Sequence, residues 1–164
     1  MQTKLTWKKN FFSNLYIIYS NGQQIGQLKD KAFSQTANGE LNGKEYTFRT
    51  KGFVRQHTEI IDNSTNKVIG EITYNNLMTK ANISIDNKTI NWKYNNLWNT
   101  KWSIFNQEGI NIQYAGSSTS GQIDSNTDDA LLLLIGLFVT NYYWQMTVAV
   151  LVAVFVPVWT IVLR

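Results

Sequence analysis

The chain has 164 residues, with 15 Lys/Arg, 11 Asp/Glu, one His and no Cys, a length that holds one domain with a real core. The missing cysteine excludes disulfides, thiolate metal sites and palmitoylation, and fits a reducing compartment. All 11 acidic residues and all but one of the basic residues fall in residues 1–129, while 130–163 carry no charged side chain and Arg164 closes the chain; one sequence thus asks for two solvents.

The basic residues are dispersed, the longest run being Lys8-Lys9, so a nucleic-acid partner is not expected. A mildly basic domain beside an apolar tail suits an anionic cytoplasmic leaflet. Met1 to Asn10 is polar and strand-like, without the apolar core of a signal peptide. The expected location is therefore a membrane, with the folded domain on the cytoplasmic side.

A pattern set at the start of the chain returns twice. Trp7 to Phe12 is followed by Leu15-Tyr16-Ile17-Ile18, a turn at Asn21-Gly22, and Gln24-Ile25-Gly26-Gln27-Leu28. The second copy runs from Arg49 through Phe53 to Thr58-Glu59-Ile60-Ile61, a turn through Asp62 to Lys67, and Val68-Ile69-Gly70-Glu71-Ile72. The third runs from Trp92 through Leu97 to Trp102-Ser103-Ile104-Phe105, a turn at Gln107-Glu108-Gly109, and Ile110 to Tyr114. Phe11, Phe53 and Leu97 correspond, a period of 42 to 44 residues.

Between the copies, Ala32 to Ala37 with Glu45 to Arg49, and Met78 to Ile85 with Thr89 to Lys93, supply further strand pairs, so each repeat holds about four strands. Asn21-Gly22, Asn38-Gly39, Asn42-Gly43 and Asn87-Lys88 offer residues that tolerate the positive φ of tight hairpins. Apolar residues alternate cleanly at Ala81, Ile83 and Ile85, at Ile90, Trp92 and Tyr94, and at Ile110, Ile112 and Tyr114, which gives the sheet one apolar face. Three blades are too few for a propeller, so the strands are expected to close into one antiparallel barrel of about twelve.

After Tyr114 the chain loosens through Ala115 to Gly121, a loop or a last short edge strand before Asp124. Thr127 is the expected N-cap of a helix, with Asp128 and Asp129 in its first turn. Asp124, Asn126 and Asp128 copy the first three ligands of an EF-hand loop, but Asp129 stands where glycine is needed and Ile135 where the bidentate glutamate belongs. No metal site and no cofactor are expected.

From Ala130 to Tyr143 the sequence is apolar on every side, so all its faces need cover. A helix of this stretch would be about 22 Å long, short for a hydrocarbon slab of about 30 Å but suited to the bore of a barrel. Leu131, Leu132, Leu134, Ile135 and Phe138 are its expected core contacts. Domain 1–144 is thus a barrel with a central helix at about 128–144.

The tail, 145–164, is read as a second apolar helix. Gln145 to Leu163 would reach about 28 Å, enough to cross a bilayer. Trp144, Val148, Leu151, Phe155 and Trp159 are its candidate membrane contacts, with the aromatics at the two interfaces. The valine density also suits a final strand pair or a homo-oligomer seam through 146–163, and a third arrangement inserts both apolar segments in the bilayer as a hairpin.

No nucleophile elbow, phosphate loop or carboxylate dyad is present, and the one histidine, His57, falls in a predicted strand. No catalytic residue is expected, and the chain reads as a non-enzyme.

Residues 3–144 resemble the Tubby C-terminal-like superfamily, which includes Tubby proteins, plant LURP-one-related proteins and phospholipid scramblases. The resemblance rests on Trp7 to Leu28, on Lys51 to Ile72 with its Glu59-Ile60-Ile61-Asp62 and Val68-Ile69-Gly70-Glu71-Ile72 hairpin, on Trp102 to Gly109, and on Asp129 to Leu137 as the helix. It implies a twelve-stranded barrel around one hydrophobic helix; membrane lipid as partner is expected from the apolar tail and the basic excess of the domain, not from the family. The chain lacks the cysteine- and proline-rich segments of scramblases and the basic pocket of animal Tubby, so no family site residue is carried across. The expected function is a membrane-anchored, lipid-contacting or scaffold barrel; the alternatives are a scramblase-like lipid transporter and a soluble ligand-binding or self-associating barrel.

Overall fold

A computed structural model describes residues 2–162 apart from 12, 31–33 and 53–54, with side chains up to residue 155. Phe53 of the repeat, the Trp159 side chain and Arg164 therefore lie outside the described residues.

Twelve strands, β1 (Thr3–Lys8), β2 (Leu15–Ser20), β3 (Gln23–Asp30), β4 (Thr36–Leu41), β5 (Lys44–Lys51), β6 (His57–Asp62), β7 (Lys67–Tyr74), β8 (Lys80–Ile85), β9 (Lys88–Tyr94), β10 (Lys101–Phe105), β11 (Asn111–Gly116) and β12 (Ser120–Ser125), precede one helix, α1 (Ala130–Val162). Each strand pairs antiparallel with its sequence neighbours, and β1 pairs with β12 to close the barrel. The alternating residues that point inward, among them Ile18, Leu28, Phe48, Ile60, Ile83, Trp92 and Ile104, are fully buried, as a period of two on a closed sheet requires.

The repeat is visible in the register. Trp7, Phe48 and Trp92 pair with Ile18, Ile60 and Ile104, and these pair in turn with Gly26, Gly70 and Ile112. β1, β5 and β9 thus hold the same place in the first, second and third repeats. In the two copies with glycine the register slips by one residue, bulging Ile25 and Ile69 out of β3 and β7; the copy with Ile112 pairs without a slip. A Cβ on Gly26 would meet the Glu40 carbonyl oxygen at 2.3 Å, and one on Gly70 the Ser84 carbonyl oxygen at 2.6 Å, so the bulges and the glycines go together.

Several expectations need correction. Asn38-Gly39 is no turn but part of β4; Gly39 faces inward, leaving room for the Leu134 side chain 3.1 Å from where its Cβ would lie. The tight turn after β8 is Asp86-Asn87, both at positive φ, and Lys88 already belongs to β9. The segment before Asp124 holds both a short loop, 117–119, and a last strand, β12, which is no edge because it pairs on both sides. Thr127 does not cap the helix. Asp129 does, its Oδ1 accepting the N–H groups of Leu131 and Leu132 at 2.9 and 3.1 Å, while Thr127 Oγ1 accepts from the Asp129 N–H two residues too early.

The two apolar segments are one unbroken helix of 33 residues, about 50 Å long, rather than a central helix and a separate second one. No Gly or Pro stands between Gly136 and Pro157, so nothing interrupts the hydrogen-bond ladder at Tyr143. Its first half fills the bore. Leu131, Leu132, Leu134, Ile135 and Phe138 are all buried, as are Leu133, Leu137 and Val139, and Phe138 stacks on Phe48 at 4.5 Å.

Candidate functional site at the helix exit

The barrel has two unlike ends. At the base, where α1 begins, the connections are short; Asn21-Gly22 and Asn42-Gly43 turn with both residues at positive φ, as two-residue hairpins need. At the mouth, where α1 leaves, the connections are longer: 9–14, 31–35, 52–56, 75–79, 95–100 and 117–119. The helix leaves that mouth with a collar of polar contacts around it.

Gly136 locks the helix from the inside. Its carbonyl oxygen accepts the indole N–H groups of Trp92 and Trp102 at 3.3 and 3.0 Å and the Thr140 hydroxyl at 3.1 Å. The Tyr114 hydroxyl donates to the carbonyls of Leu132 and Leu133, and Tyr114 stacks on Trp102 with ring centres 5.5 Å apart. Buried polar atoms on aromatic side chains need such partners.

One turn further, Asn141 is fully buried. Its amide donates to Asp30 Oδ2 at 2.7 Å and its oxygen accepts the Tyr16 hydroxyl at 3.3 Å; Gln145 donates to the same Asp30 oxygen at 2.9 Å. Burial raises the Asp30 carboxyl to about 6 against the pull of these two amide donors. At the rim, Tyr142 stacks on Tyr74 at 4.0 Å and donates to Gln56. The Tyr143 hydroxyl donates to the Lys80 carbonyl.

Hollows surround the helix at this level. One of about 540 Å³ lies between Arg55, His57, Asn75 and Tyr142. A second, of about 320 Å³, is bordered by Trp7, Lys9, Tyr16, Trp98, Trp102 and Trp144. The Trp7 indole N–H there finds no hydrogen-bond partner among the described residues, and the Lys9 ammonium lies 4.9 Å from the Tyr16 ring centre, with burial lowering its pKa. A third, of about 240 Å³, lies beside Asp30, Phe138 and Gln145.

Beyond the mouth the expected membrane contacts lie on the emergent half of α1. Trp144 is 49% exposed, Leu151 50% and Phe155 55%, while Val148 is half-buried. His57 opens β6 at the rim and is half-buried. Asn126 of the broken calcium pattern is committed to the β10–β11 hairpin, donating to the Gly109 carbonyl and accepting from the Asn111 N–H. Among the described residues no group of three His, Cys, Asp or Glu could hold a metal ion.

Gly136, Asn141 and Asp30 were not among the expected site residues. A lone glycine and a lone amide inside an otherwise apolar run were the signals available for the first two; nothing local distinguishes Asp30 from the other carboxylates. Compared with protein-family models, curated proteins and solved structures, the chain matches none of them.

Proposed function

We propose that the protein is a non-enzymatic, Tubby-like barrel held at a membrane by the emergent half of its central helix, with the barrel on the cytoplasmic side and membrane lipid as its partner. The observation that carries this reading is the bareness of that half. Val150, Leu151, Val152, Val154 and Phe155 are each about half exposed or more (48–57%), and consecutive helical positions point in all directions, so no face of the rod is covered by the barrel. From Trp144 to Val162 the rod extends about 28 Å, close to the hydrocarbon thickness of a bilayer.

The residue pattern that resembles the Tubby C-terminal-like superfamily, joined to a twelve-stranded barrel with a helix in its bore, supports the family part of the reading. Lys9 and Arg55, in the connections around the mouth, support the cytoplasmic side, by the bias of Lys and Arg toward that face. A rod bare on every side is equally the mark of a self-associating seam, which is the competing occupant.

The test is extraction of membranes at high pH. The full chain stays in the pellet, whereas Val150→Lys with Val154→Lys, each costing about 2.5–3.5 kcal/mol in a bilayer centre and touching nothing in the barrel core, is released. A parent chain that washes off as a monodisperse oligomer without detergent sinks the anchor and leaves self-association through 146–163.

A further inference from the structure

Among the described residues the six mouth connections contain Lys9 and Arg55 and no Asp or Glu. The six base connections, 21–22, 42–43, 63–66, 86–87, 106–110 and 126–129, contain Asp86, Glu108, Asp128 and Asp129 and no Lys or Arg. The barrel is therefore electrically polar along the helix axis, positive where the apolar rod emerges.

Most of the large exposed apolar side chains of the barrel gather at the mouth; Val68, 57% exposed, stands alone at the base end of β7. Phe11 is 57% exposed, Leu77 79%, Leu97 98% and Trp98 85%, whereas no base connection exposes a comparable side chain among the described residues. Scattered surface apolar residues need no explanation. These are gathered on one rim, and two of the loops that hold them are built alike.

In the β7–β8 connection Asn75 Oδ1 accepts the N–H groups of Thr79 and Lys80, both at 2.9 Å, and its amide donates to the Thr79 hydroxyl. In the β9–β10 connection Asn96 Oδ1 accepts the N–H groups of Thr100 and Lys101, both at 3.1 Å, and its amide donates to the Thr100 hydroxyl. Each loop also holds one non-glycine residue, Met78 or Asn99, at positive φ. An asparagine clamp closes each loop from within and leaves its leucine at the tip. Such a tip is held out toward its surroundings by the loop's own hydrogen bonds, instead of folding back to cover itself.

We infer that the mouth is a membrane-docking surface for an anionic leaflet: Leu77, Leu97 and Trp98 enter the headgroup and upper acyl region while Lys9, Arg55, Lys80 and Lys101 lie at the level of the anionic headgroups. Apolar tips ringed by cations match the chemistry of that surface, and Trp98 and Trp144 fall at the depth aromatic side chains favour. The inference rests on the anchoring proposed above and adds to it the surface that meets the lipid and the class of lipid it prefers.

The absence of cysteine allows one probe at a time. Leu77→Cys, Leu97→Cys and, as a base control, Ser64→Cys are labelled with an environment-sensitive nitrobenzoxadiazole dye. Each is reconstituted as the full chain into phosphatidylcholine vesicles with or without phosphatidylserine, carrying doxyl-labelled lipid. All three sites are exposed, so the barrel is undisturbed, which circular dichroism checks. Flotation is read first, and a chain that does not float with the vesicles overturns the anchor itself. In the floated chain the dye at 77 and 97 shifts to the blue and loses emission to doxyl lipid, more so with phosphatidylserine, and the dye at 64 does neither. Lys9→Glu with Arg55→Glu removes the phosphatidylserine dependence. Emission at 77 and 97 as aqueous as at 64 overturns the docking surface alone, and so does a blue shift without doxyl quenching, which places a second copy there instead.

Discussion

The phenol of Tyr114 takes up the space that a side chain at position 136 would need: a β-carbon on Gly136 would fall 2.1 Å from Tyr114 Cζ and 2.3 Å from its hydroxyl oxygen. The same glycine offers its carbonyl to Trp92 and Trp102, so strand and helix meet where neither can shift alone. Gly136→Ala is expected to destabilise the barrel by about 1–3 kcal/mol or more, because overpacking forces rings off their rotamers, despite alanine's better helix propensity. Denaturant titration in detergent, following tryptophan emission, measures it; an unchanged midpoint would sink the account of how the helix is locked.

How much of this was legible in the sequence depends on range. The strands and the buried face follow from alternation at Ile83, Ile90, Trp92 and Ile112, and the tight turns at Asn21-Gly22 and Asn42-Gly43 from backbone chemistry within two residues. Asn38-Gly39 misleads because glycine serves two purposes: in β4 it makes room for Leu134, a contact almost a hundred residues away in sequence that no local pattern encodes. The helix break expected near Tyr143 is absent for a similar reason. The change from protein to other surroundings happens along a continuous rod, and only the position of the barrel mouth marks it. Asp30 was invisible because its meaning comes from Asn141 and Gln145, which arrive from the far end of the chain.

The helix cap separates two neighbouring residues. Asp129 accepts from two otherwise unpaired N–H groups of the first turn, so Asp129→Ala is expected to cost about 0.5–2 kcal/mol. Thr127→Ala removes only a contact outside the helix and should cost less. A larger drop in midpoint for Thr127→Ala than for Asp129→Ala in thermal or denaturant melts would return the cap to Thr127.

The bulge glycines give a paired prediction. Gly26→Ala and Gly70→Ala each drive a methyl into the backbone of the next strand, at 2.3 and 2.6 Å from a carbonyl oxygen, and backbone yields less readily than a flexible side chain. Both are expected to destabilise, by about 1–3 kcal/mol. Ile112→Gly, at the matching place in the unbulged copy, destabilises for the opposite reason, by emptying a fully buried site. Full hydrogen-exchange protection of β3 and β4 in Gly26→Ala would show that the bulge does not need its glycine.

Asp30 carries the pH dependence of the mouth. The residue is 9% exposed and its carboxyl faces Tyr16, Asn141 and Gln145, none of them cationic, so desolvation dominates and the carboxyl rises from 3.8 to about 6. Between those values the folded chain holds a proton that the unfolded chain has released. Stability therefore decreases as pH rises through this window, and the loss is complete above about 6. Glu59 and Asp62 are shifted the other way, by Lys51 and by Ser64 respectively, so the whole-protein profile mixes both signs. The comparison that isolates Asp30 is the difference between the parent and Asp30→Asn, whose amide is neutral at every pH. That difference is expected to move in favour of the variant as pH rises from about 4 to above 6 and then to level off. A difference that stays flat across the window would mean that the carboxyl titrates as it does in water, and that the collar around Asn141 does not shield it.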